Sequence, residues 1–448
     1  MRQGHAALTI DDSYARALRR LYALGPGRML QGRERLARLL AGVGNPERSV
    51  PSVLIGGTNG KGRLVAALSA VLTRRYRVGA FIKPHLKSIC ERWRIDDRDV
   101  SPVAFTSACD EALDLIEQCG EPISFFEANV LIAALLFRDA HCDIALWEVG
   151  LGGKHDACNL TEPFLSVLTG VGLDHQAILG DSVERIAADK AHIARQGRPL
   201  LLGPPRPGQE ASFASCRPII EQVCREIGAR FQSVPLAVTA WDGWTATRDG
   251  LPPDSLALLH AALPHLAAEG FMVPPEDVRA GVDAVRYRAR MEWTQLRGAP
   301  VILDAAHNVD ALAWLARELA GTVHPVVFGC QATRDPEELL AALKPAIRVL
   351  VPIEVPVMHP CPLARIAAAA SALDIPVSLP PGVTISDAPS DYPIGHITEL
   401  DEPDNRTGWI ECVEHGLNLA SAEVPTVICG SIYCVGEILR AFEGMDKS

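Results

Sequence analysis

The chain has 448 residues, of which 48% are hydrophobic and 22% are charged. This length predicts two or three domains, and the composition is typical of a globular protein. The net charge of −11 argues against nucleic acid as a partner, because the summed field repels a polyanion. The longest clean apolar run, at residues 130–137, is much shorter than the roughly 20 residues of a membrane span, so no membrane partner is expected.

Twelve cysteines are scattered along the chain without a Cys-x-x-Cys pair or a cluster at zinc-binding spacing. We interpret them as reduced thiols that lie mostly in the core, as expected in a cytoplasmic protein. The first residues contain no apolar segment of the kind that a secretory signal needs, which also favours the cytoplasm. We expect a monomer.

In chain order, leucines at helical spacing between residues 12 and 44 predict two helices, separated by Gly25-Pro-Gly27. An apolar strand then runs into the glycine-rich turn Gly57-Thr-Asn-Gly-Lys-Gly62, which a helix follows. Backbone N–H groups of such a turn form a cradle for phosphate, and Lys61 supplies a positive charge. Because Ile55 and Gly62 depart from the strict P-loop pattern, an ordinary strand-to-helix turn stays an alternative.

Further strands are predicted near residues 76–82, 143–149 and 165–170, with helices at 102–119 and 126–139. This alternation predicts a parallel, doubly wound α/β sheet whose ligands bind at the carboxyl ends of the strands. Two more helices are expected at residues 256–266 and 275–285.

A second series of strands begins after Pro300, at residues 301–303, 326–328, 349–351 and 426–429. We therefore predict two α/β domains, residues 1–295 and 300–448, with Thr294 to Pro300 as the linker. Residues 388–409 are rich in Pro, Asp and Gly and are interpreted as a surface insertion.

Six motifs then occur in a fixed order: Gly57-Thr-Asn-Gly-Lys-Gly62, Glu148-Val-Gly-Leu-Gly-Gly153, Gly172-Leu-Asp-His175, Ile186-Ala-Ala-Asp-Lys-Ala191, Asp304-Ala-Ala-His-Asn308 and Cys429-Gly-Ser431. Over nearly the whole chain, they resemble the folylpolyglutamate synthase/dihydrofolate synthase branch of the Mur ligase superfamily. The resemblance implies a P-loop Mur-ligase-like domain and a smaller Rossmann-like domain, which close on ATP at a cleft between them. It also implies that ATP phosphorylates a substrate carboxylate, and that the amine of glutamate or a similar amino acid attacks the acyl phosphate.

The resemblance assigns roles to individual residues. The ATP-binding residues would be Gly57, Thr58, Asn59, Gly60, Lys61, Gly62, Arg63, Asp254, Arg290 and Asp304. The ligands of Mg²⁺ would be Glu148 and His175, with Lys190 carbamylated to hold a second cation. The residues at the pterin-bearing substrate would be Ser124, Phe126, Glu127, Lys154, His155 and Asp156. Lys61, Lys190 and His307 would be catalytic, with His307 near the incoming amino acid.

Each of these side chains also has an ordinary structural interpretation when it is taken alone. Glu148 would then be a solvated carboxylate at a strand end, His175 a capping histidine and Lys190 a surface lysine. The order of the motifs favours the functional interpretation.

Three positions depart from the family pattern. Arg63 and Lys83 stand where the family has serine, the second of which binds magnesium, and Asp254 replaces an asparagine. An ammonium about 4 Å from a divalent ion costs on the order of 8 kcal/mol at an effective dielectric near 20. We therefore predict a weak or empty first magnesium site, with Arg63 and Lys83 near the phosphates. A divergent ligase of a secondary pathway and a non-catalytic nucleotide- or pterin-binding relative stay open as alternatives.

Overall fold

The computed structural model describes residues 10–25, 32–236, 251–355, 359–385 and 408–444. The surface insertion predicted at 388–409 lies almost entirely outside the described residues. The chain divides into two compact units, one formed by Met1–Lys83 and Cys90–Arg286, the other by Pro84–Ile89 and Tyr287–Ser448. A search of the described residues for a helix long and apolar enough to cross a membrane finds none.

The described part of the first unit contains eight strands and ten α-helices. In chain order they are α1 Ile10–Tyr22, α2 Glu34–Gly42, β1 Ser52–Gly56, α3 Lys61–Leu72, β2 Val78–Phe81, β3 Trp93–Ile95, β4 Arg98–Asp99, α4 Pro102–Cys119, α5 Phe125–Asp139, β5 Ile144–Glu148, β6 Leu165–Leu168, α6 Gln176–Leu179, α7 Val183–Ala191, β7 Pro199–Leu202, α8 Glu210–Ile227, β8 Arg230–Ser233, α9 Pro253–Ala268 and α10 Pro275–Ala284. The strands form one sheet in the order β4-β3-β2-β5-β1-β6-β7-β8. All neighbours from β2 to β8 in this order pair in parallel, and β3 and β4 are antiparallel at one edge, which confirms the predicted α/β sheet.

Strand β1 lies within this sheet, between β5 and β6. Its residues Val53, Leu54 and Ile55 are all 0% exposed, as expected for a central strand of a parallel sheet. Helix α3 is buried along nearly its whole length. Helix α10 packs closely on it, because a Cβ at Gly281 would come within 2.6 Å of Val71 Cα. This packing fixes β1 and α3, and with them the loop that joins them.

The second unit has five strands and five α-helices in its described part. In chain order they are β9 Glu292–Leu296, β10 Ala299–Leu303, α11 Val309–Glu318, β11 His324–Phe328, α12 Pro336–Leu343, β12 Ile347–Pro352, α13 Leu363–Ala372, α14 Trp409–Asn418, β13 Thr426–Cys429 and α15 Ile432–Gly444. The sheet has the order β12-β11-β13-β10-β9. Ile302 packs into one apolar cluster, and Val301 and Leu303 pack into another. Both faces of the sheet are therefore covered.

The linker predicted between Thr294 and Pro300 is wrong. These residues belong to the antiparallel hairpin of β9 and β10, in which Thr294 pairs with Val301. The two turn residues, Arg297 and Gly298, have φ of 48° and 79°. Positive φ at both central residues is typical of the tight turn that matches the twist of a hairpin. The compact units divide between Arg286 and Tyr287, before this hairpin.

Helix α5 begins with a reciprocal cap that involves two of the predicted substrate residues. Ser124 Oγ accepts the Glu127 N–H at 3.3 Å, while Glu127 Oε2 accepts the Ser124 N–H at 2.9 Å and its hydroxyl at 2.7 Å. Helix α4 has the simpler cap, in which Ser101 Oγ accepts the Ala104 N–H at 3.2 Å. Ser124 therefore satisfies more polar groups than Ser101 does.

We expect Ser124→Ala to lower the free energy of unfolding by about 1–2 kcal/mol, because it removes the cap and leaves the buried Glu127 carboxylate without its hydroxyl donor. Ser101→Ala is the matched control and is expected to cost less. Urea unfolding followed by tryptophan fluorescence measures both. Equal losses in the two variants would contradict a special role for the reciprocal cap.

Candidate functional site

The loop between β1 and α3 requires glycine at two positions. Gly57 has φ of 128°, and a Cβ there would overlap the Thr169 side chain. Gly60 has φ of 92° and immediately precedes the first residue of α3. Both values lie in the region that favours glycine. The loop is thus shaped by its own sequence, as the glycine-rich motif predicts.

The end of β6 anchors this loop from the side. The Thr58 N–H donates to the Gly170 carbonyl at 2.9 Å. Thr169 Oγ1 donates to the Asn59 carbonyl at 2.8 Å, and the Gly172 N–H donates to Thr58 Oγ1 at 3.0 Å. These bonds fix the main chain of the loop, while the first N–H groups of α3 have no partner within the helix. Such a helix start attracts anions.

A half-buried lysine and a buried one share one carbonyl oxygen of the loop. Lys61 Nζ donates to the Gly57 and Thr58 carbonyls at 3.0 Å each, and Lys190 Nζ donates to the Gly57 carbonyl at 3.1 Å. Lys190 is only 5% exposed, so it is not the surface lysine of the structural interpretation. The resemblance placed both residues in the site, and the structure brings them together.

Burial and repulsion by neighbouring lysines lower the pKa of both ammonium groups. Burial is the larger cause for Lys61, followed by the charge of Lys83, and together they lower its pKa to about 8. For Lys190, burial and then the charge of Lys61 lower the pKa to about 7. Asp174 opposes the shift in both lysines. The site is therefore cationic but close to losing its protons at neutral pH.

Lys83 and Glu148 meet at the carboxyl end of β5. Glu148 is 4% exposed, and its Oε2 accepts the backbone N–H of Lys83 at 2.9 Å. Lys83 Nζ donates to the Val149 carbonyl and lies 5.8 Å from the centre of the Phe126 ring. The backbone N–H of Lys83 thus binds the carboxylate that the resemblance assigns to a metal, while its ammonium binds the next carbonyl along the chain. Arg63, in the first turn of α3 with Gly62, is 8% exposed.

His175 and its neighbour Asp174 differ in burial. The side chain of His175 is 47% exposed and that of Asp174 is 9% exposed, and Asp174 Oδ1 accepts the His175 N–H at 2.9 Å. Asp174 was missed by sequence reasoning, although it lies in the same motif as His175. Its charge acts to raise the pKa of Lys61 and Lys190. Among the described residues, no group of three or more His, Cys, Asp or Glu side chains could hold a metal ion.

The predicted substrate residues differ in their surroundings. Asp156 is 5% exposed, and its two oxygens accept the N–H groups of Leu151 at 2.8 Å and Cys158 at 2.9 Å. It therefore shapes the loop after β5. Lys154 and His155 are exposed. A substrate role for these residues, and for the capping pair of α5, stays a prediction.

Asp254 lies in the first turn of α9 and pairs with Arg206, a residue that sequence reasoning missed. Arg206 Nε lies 2.9 Å from Asp254 Oδ2. A Cβ at Gly60 would come within 2.7 Å of Arg206 Nη2. The pair thus lies against the glycine-rich loop. The loop after β7 carries no motif of the family. The one sequence feature that could have indicated Arg206 is its position at the carboxyl end of a parallel strand, where ligands bind.

Three predicted residues lie in the second unit. Asp304 is 2% exposed and accepts the N–H groups of Met291 and Ala306, both at 2.8 Å. Its carboxylate thereby holds the turn that carries Arg290, whose guanidinium lies 5.6 Å from the Tyr287 ring centre. His307 Nδ1 lies 2.9 Å from the Ala305 carbonyl oxygen.

We expect the burial of Lys190 to make stability depend on pH. Its pKa falls from the usual 10.5 to about 7 on folding, so the unfolded chain binds more protons between these values and the folded state gains stability as pH rises. Lys190→Met removes this charge, so its free energy of unfolding should exceed that of the parent at about pH 7. This difference should shrink between about pH 7 and about pH 9.5, by about 1.4 kcal/mol per pH unit at most. Urea unfolding in CO₂-free buffer measures this difference. Lys154→Met, at an exposed lysine, is the control, and its free energy of unfolding relative to the parent should not change with pH. A pH-independent difference for Lys190→Met would overturn the assignment.

No protein-family model matches the chain. It is similar to the dihydrofolate synthase/folylpolyglutamate synthase of Bacillus subtilis, with 31% identity over 352 residues, which cover 70% of this chain and 78% of the relative. The protein of the same name from Mycobacterium tuberculosis is 32% identical over 360 residues, which cover 71% of this chain and 73% of the relative.

Among solved structures, Escherichia coli FolC in complex with DHPP and ADP matches with a TM-score of 0.79 at 23% identity, over 98% of this chain and 100% of that chain. This likeness confirms the predicted two-part α/β fold. The resemblance that the motifs indicate is confirmed by the two relatives, each more than 30% identical over most of its length. The chain belongs to the dihydrofolate synthase/folylpolyglutamate synthase family.

Proposed function

We propose that the chain is an ATP-dependent ligase that joins glutamate, or a similar amino acid, to a pteroate- or folate-like carboxylate through an acyl phosphate. Family membership supports this function over a ligase of a secondary pathway or a non-catalytic binder. The single observation that carries it is the anchored loop from Gly57 to Gly60, with the ammonium groups of Lys61 and Lys190 both bonded to one of its carbonyls.

The loop supplies what a triphosphate needs. The N–H groups at the start of α3 give directed donors, and Lys61 gives a charge that can leave the carbonyls of Gly57 and Thr58 for phosphate oxygens. Phosphate charge also raises the pKa of a nearby ammonium, because an opposite charge favours the charged form. Binding ATP would therefore keep Lys61 protonated at neutral pH.

The carboxylates near the loop fit a divalent cation such as Mg²⁺. Hard cations prefer oxygen ligands, and Mg²⁺ bound with a nucleotide takes one or two carboxylates plus phosphate oxygens. Glu148 and Asp174, whose charges both act on Lys61, are the carboxylates that would contribute to such a partial set. A bound cation supplies charge neutralisation on the transferring phosphoryl group. Lys83, whose backbone N–H already binds Glu148 Oε2, opposes this occupancy.

We assign Lys190 as a carbamylated lysine. The neutral amine is the form that reacts with CO₂, and a pKa of about 7 provides it at physiological pH. The ammonium first loses one proton, and attack of the neutral Nζ on the carbon of CO₂ then forms the N–C bond, opens one C=O bond to a carboxylate and releases a second proton, so that a buried cation becomes an anion. That change would relieve the repulsion between Lys61 and Lys190.

The second unit would supply the remaining groups. We assign Arg290 and Asp304 to the nucleotide, with Asp304 acting through the turn that carries Arg290, and we assign His307 to the incoming amino acid. The reaction then needs the acid and the amine held in line with the γ-phosphate, which is a requirement of positioning.

We further propose that the chain acts as a monomer in the cytoplasm. All twelve cysteines are free thiols, and eleven of them are buried. Free buried thiols are typical of proteins in reducing compartments. Size-exclusion chromatography with light scattering would test the oligomeric state.

The proposed function predicts that ATP is hydrolysed to release phosphate only when both dihydropteroate and glutamate are present, with an amide product. Lys61→Ala should lower this rate by at least about a hundredfold, because charge stabilisation on the phosphates is lost. A coupled phosphate assay with mass spectrometry of the product measures it. The exposed Lys344→Ala, outside the proposed site, serves as the charge-matched control. Phosphate release at the same rate without dihydropteroate, or without glutamate, would contradict the proposed ligase activity.

The second prediction concerns the two cations at the family's serine positions. We expect Arg63→Ser with Lys83→Ser to tighten Mg²⁺ binding in the presence of ADP by about tenfold or more, because a fixed positive charge near the metal is removed. Ligase turnover should rise with it. Lys87→Ser, in the same segment and paired with Glu443, is the control. Ordinary magnesium occupancy and turnover in the unchanged protein would contradict the electrostatic argument.

A further inference from the structure

A largely buried ion pair lies against the phosphate loop. Arg206 follows β7, and Asp254 belongs to the first turn of α9. Their side chains are 14% and 7% exposed, and Arg206 Nε and Nη2 lie 2.9 and 2.8 Å from the same oxygen, Asp254 Oδ2. The guanidinium thus uses one carboxylate oxygen, not the two that a bidentate pair would use.

This pairing leaves one nitrogen of Arg206 without a hydrogen bond. Although Nη2 is close to Asp254 in distance, it is buried and makes no hydrogen bond of normal geometry to any described residue. It faces Gly60, where a Cβ would come within 2.7 Å of it. Gly60 immediately precedes α3, whose first N–H groups attract anions. A buried cationic donor beside such a helix start is completed by an anionic oxygen.

Stability is a poor explanation for this pair. The free-energy cost of removing two charges from water can exceed their attraction unless their hydrogen bonding is complete. The hydrogen bonding of this pair is not complete. Arg198, at the other end of β7, forms an ion pair of the ordinary kind, with Glu269 at 2.8 Å and side chains 47% and 39% exposed. The two arginines flank one strand, so they provide a matched comparison.

We propose that Arg206 is a nucleotide-binding residue whose Nη2 donates to a phosphate oxygen of ATP beside Gly60, and that Asp254 is the positioning residue that holds its guanidinium there. The inference rests on the proposed function, because it takes the loop from Gly57 to Gly62 as the triphosphate site. It gives Asp254 a role through Arg206, where the sequence places this carboxylate directly at the nucleotide.

Calorimetric titration with ATP tests the proposal in the full chain. Arg206→Ala should raise the Kd for ATP by about tenfold to a hundredfold, because a charge-assisted hydrogen bond is lost. Asp254→Asn keeps the guanidinium and should raise the Kd by less than about tenfold. Arg198→Ala should leave the Kd unchanged. Melting temperatures are recorded for every variant, so that a loss of binding is separated from a loss of folding.

Arg206→Met combined with Asp254→Asn leaves no unpaired buried charge and serves if Arg206→Ala does not fold. It should weaken ATP binding as much as Arg206→Ala. An unchanged Kd in a folded Arg206 variant overturns the inference, and so do equal losses in the Arg206→Ala and Asp254→Asn variants. Lys61→Ala separates the two proposals. If it weakens ATP binding while Arg206→Ala does not, only the inference fails, and if it has no effect, the proposed site fails.

Discussion

The carbonyl oxygen of Gly57 accepts hydrogen bonds from the ammonium groups of Lys61 and Lys190, and the properties of the site follow from this arrangement. Two cations on one carbonyl repel each other, and burial removes the water that would screen them. Their pKa values are lowered, to about 8 and about 7. A polyphosphate relieves this repulsion, so the free site is poised for an anion.

The fold creates this arrangement by bringing separate strand ends together. Lys61 follows β1, Glu148 ends β5, Asp174 follows β6 and Arg206 follows β7. Because these strands are parallel neighbours within one sheet, their carboxyl ends share an edge. The threonine after β6 then fixes the loop through its hydroxyl. The site thus depends on topology as well as on the local sequence of the glycine-rich loop.

Sequence patterns could predict the parts of the site that have local signatures. The glycine-rich loop follows from its own backbone needs, since Gly57 and Gly60 both require positive φ. The pair of Arg206 and Asp254 could not be predicted, because it joins residues that only the tertiary fold brings together. The hairpin at Arg297 and Gly298 was mistaken for a linker because its turn lacks the usual Asn-Gly. The pattern Ser124-x-x-Glu127 is itself the signature of a capping box, so a structural role could have been read beside the substrate role.

The central claim is that an anionic nucleotide binds to lysines that are partly deprotonated beforehand. Calorimetry of ATP binding near pH 8, the pKa of Lys61, in two CO₂-free buffers of different ionisation enthalpy counts the protons exchanged. The account predicts a net uptake of protons, because the phosphates raise the pKa of Lys61 and Lys190, and a smaller uptake in Lys61→Ala. Binding without proton uptake, or with a net release of protons, would contradict it.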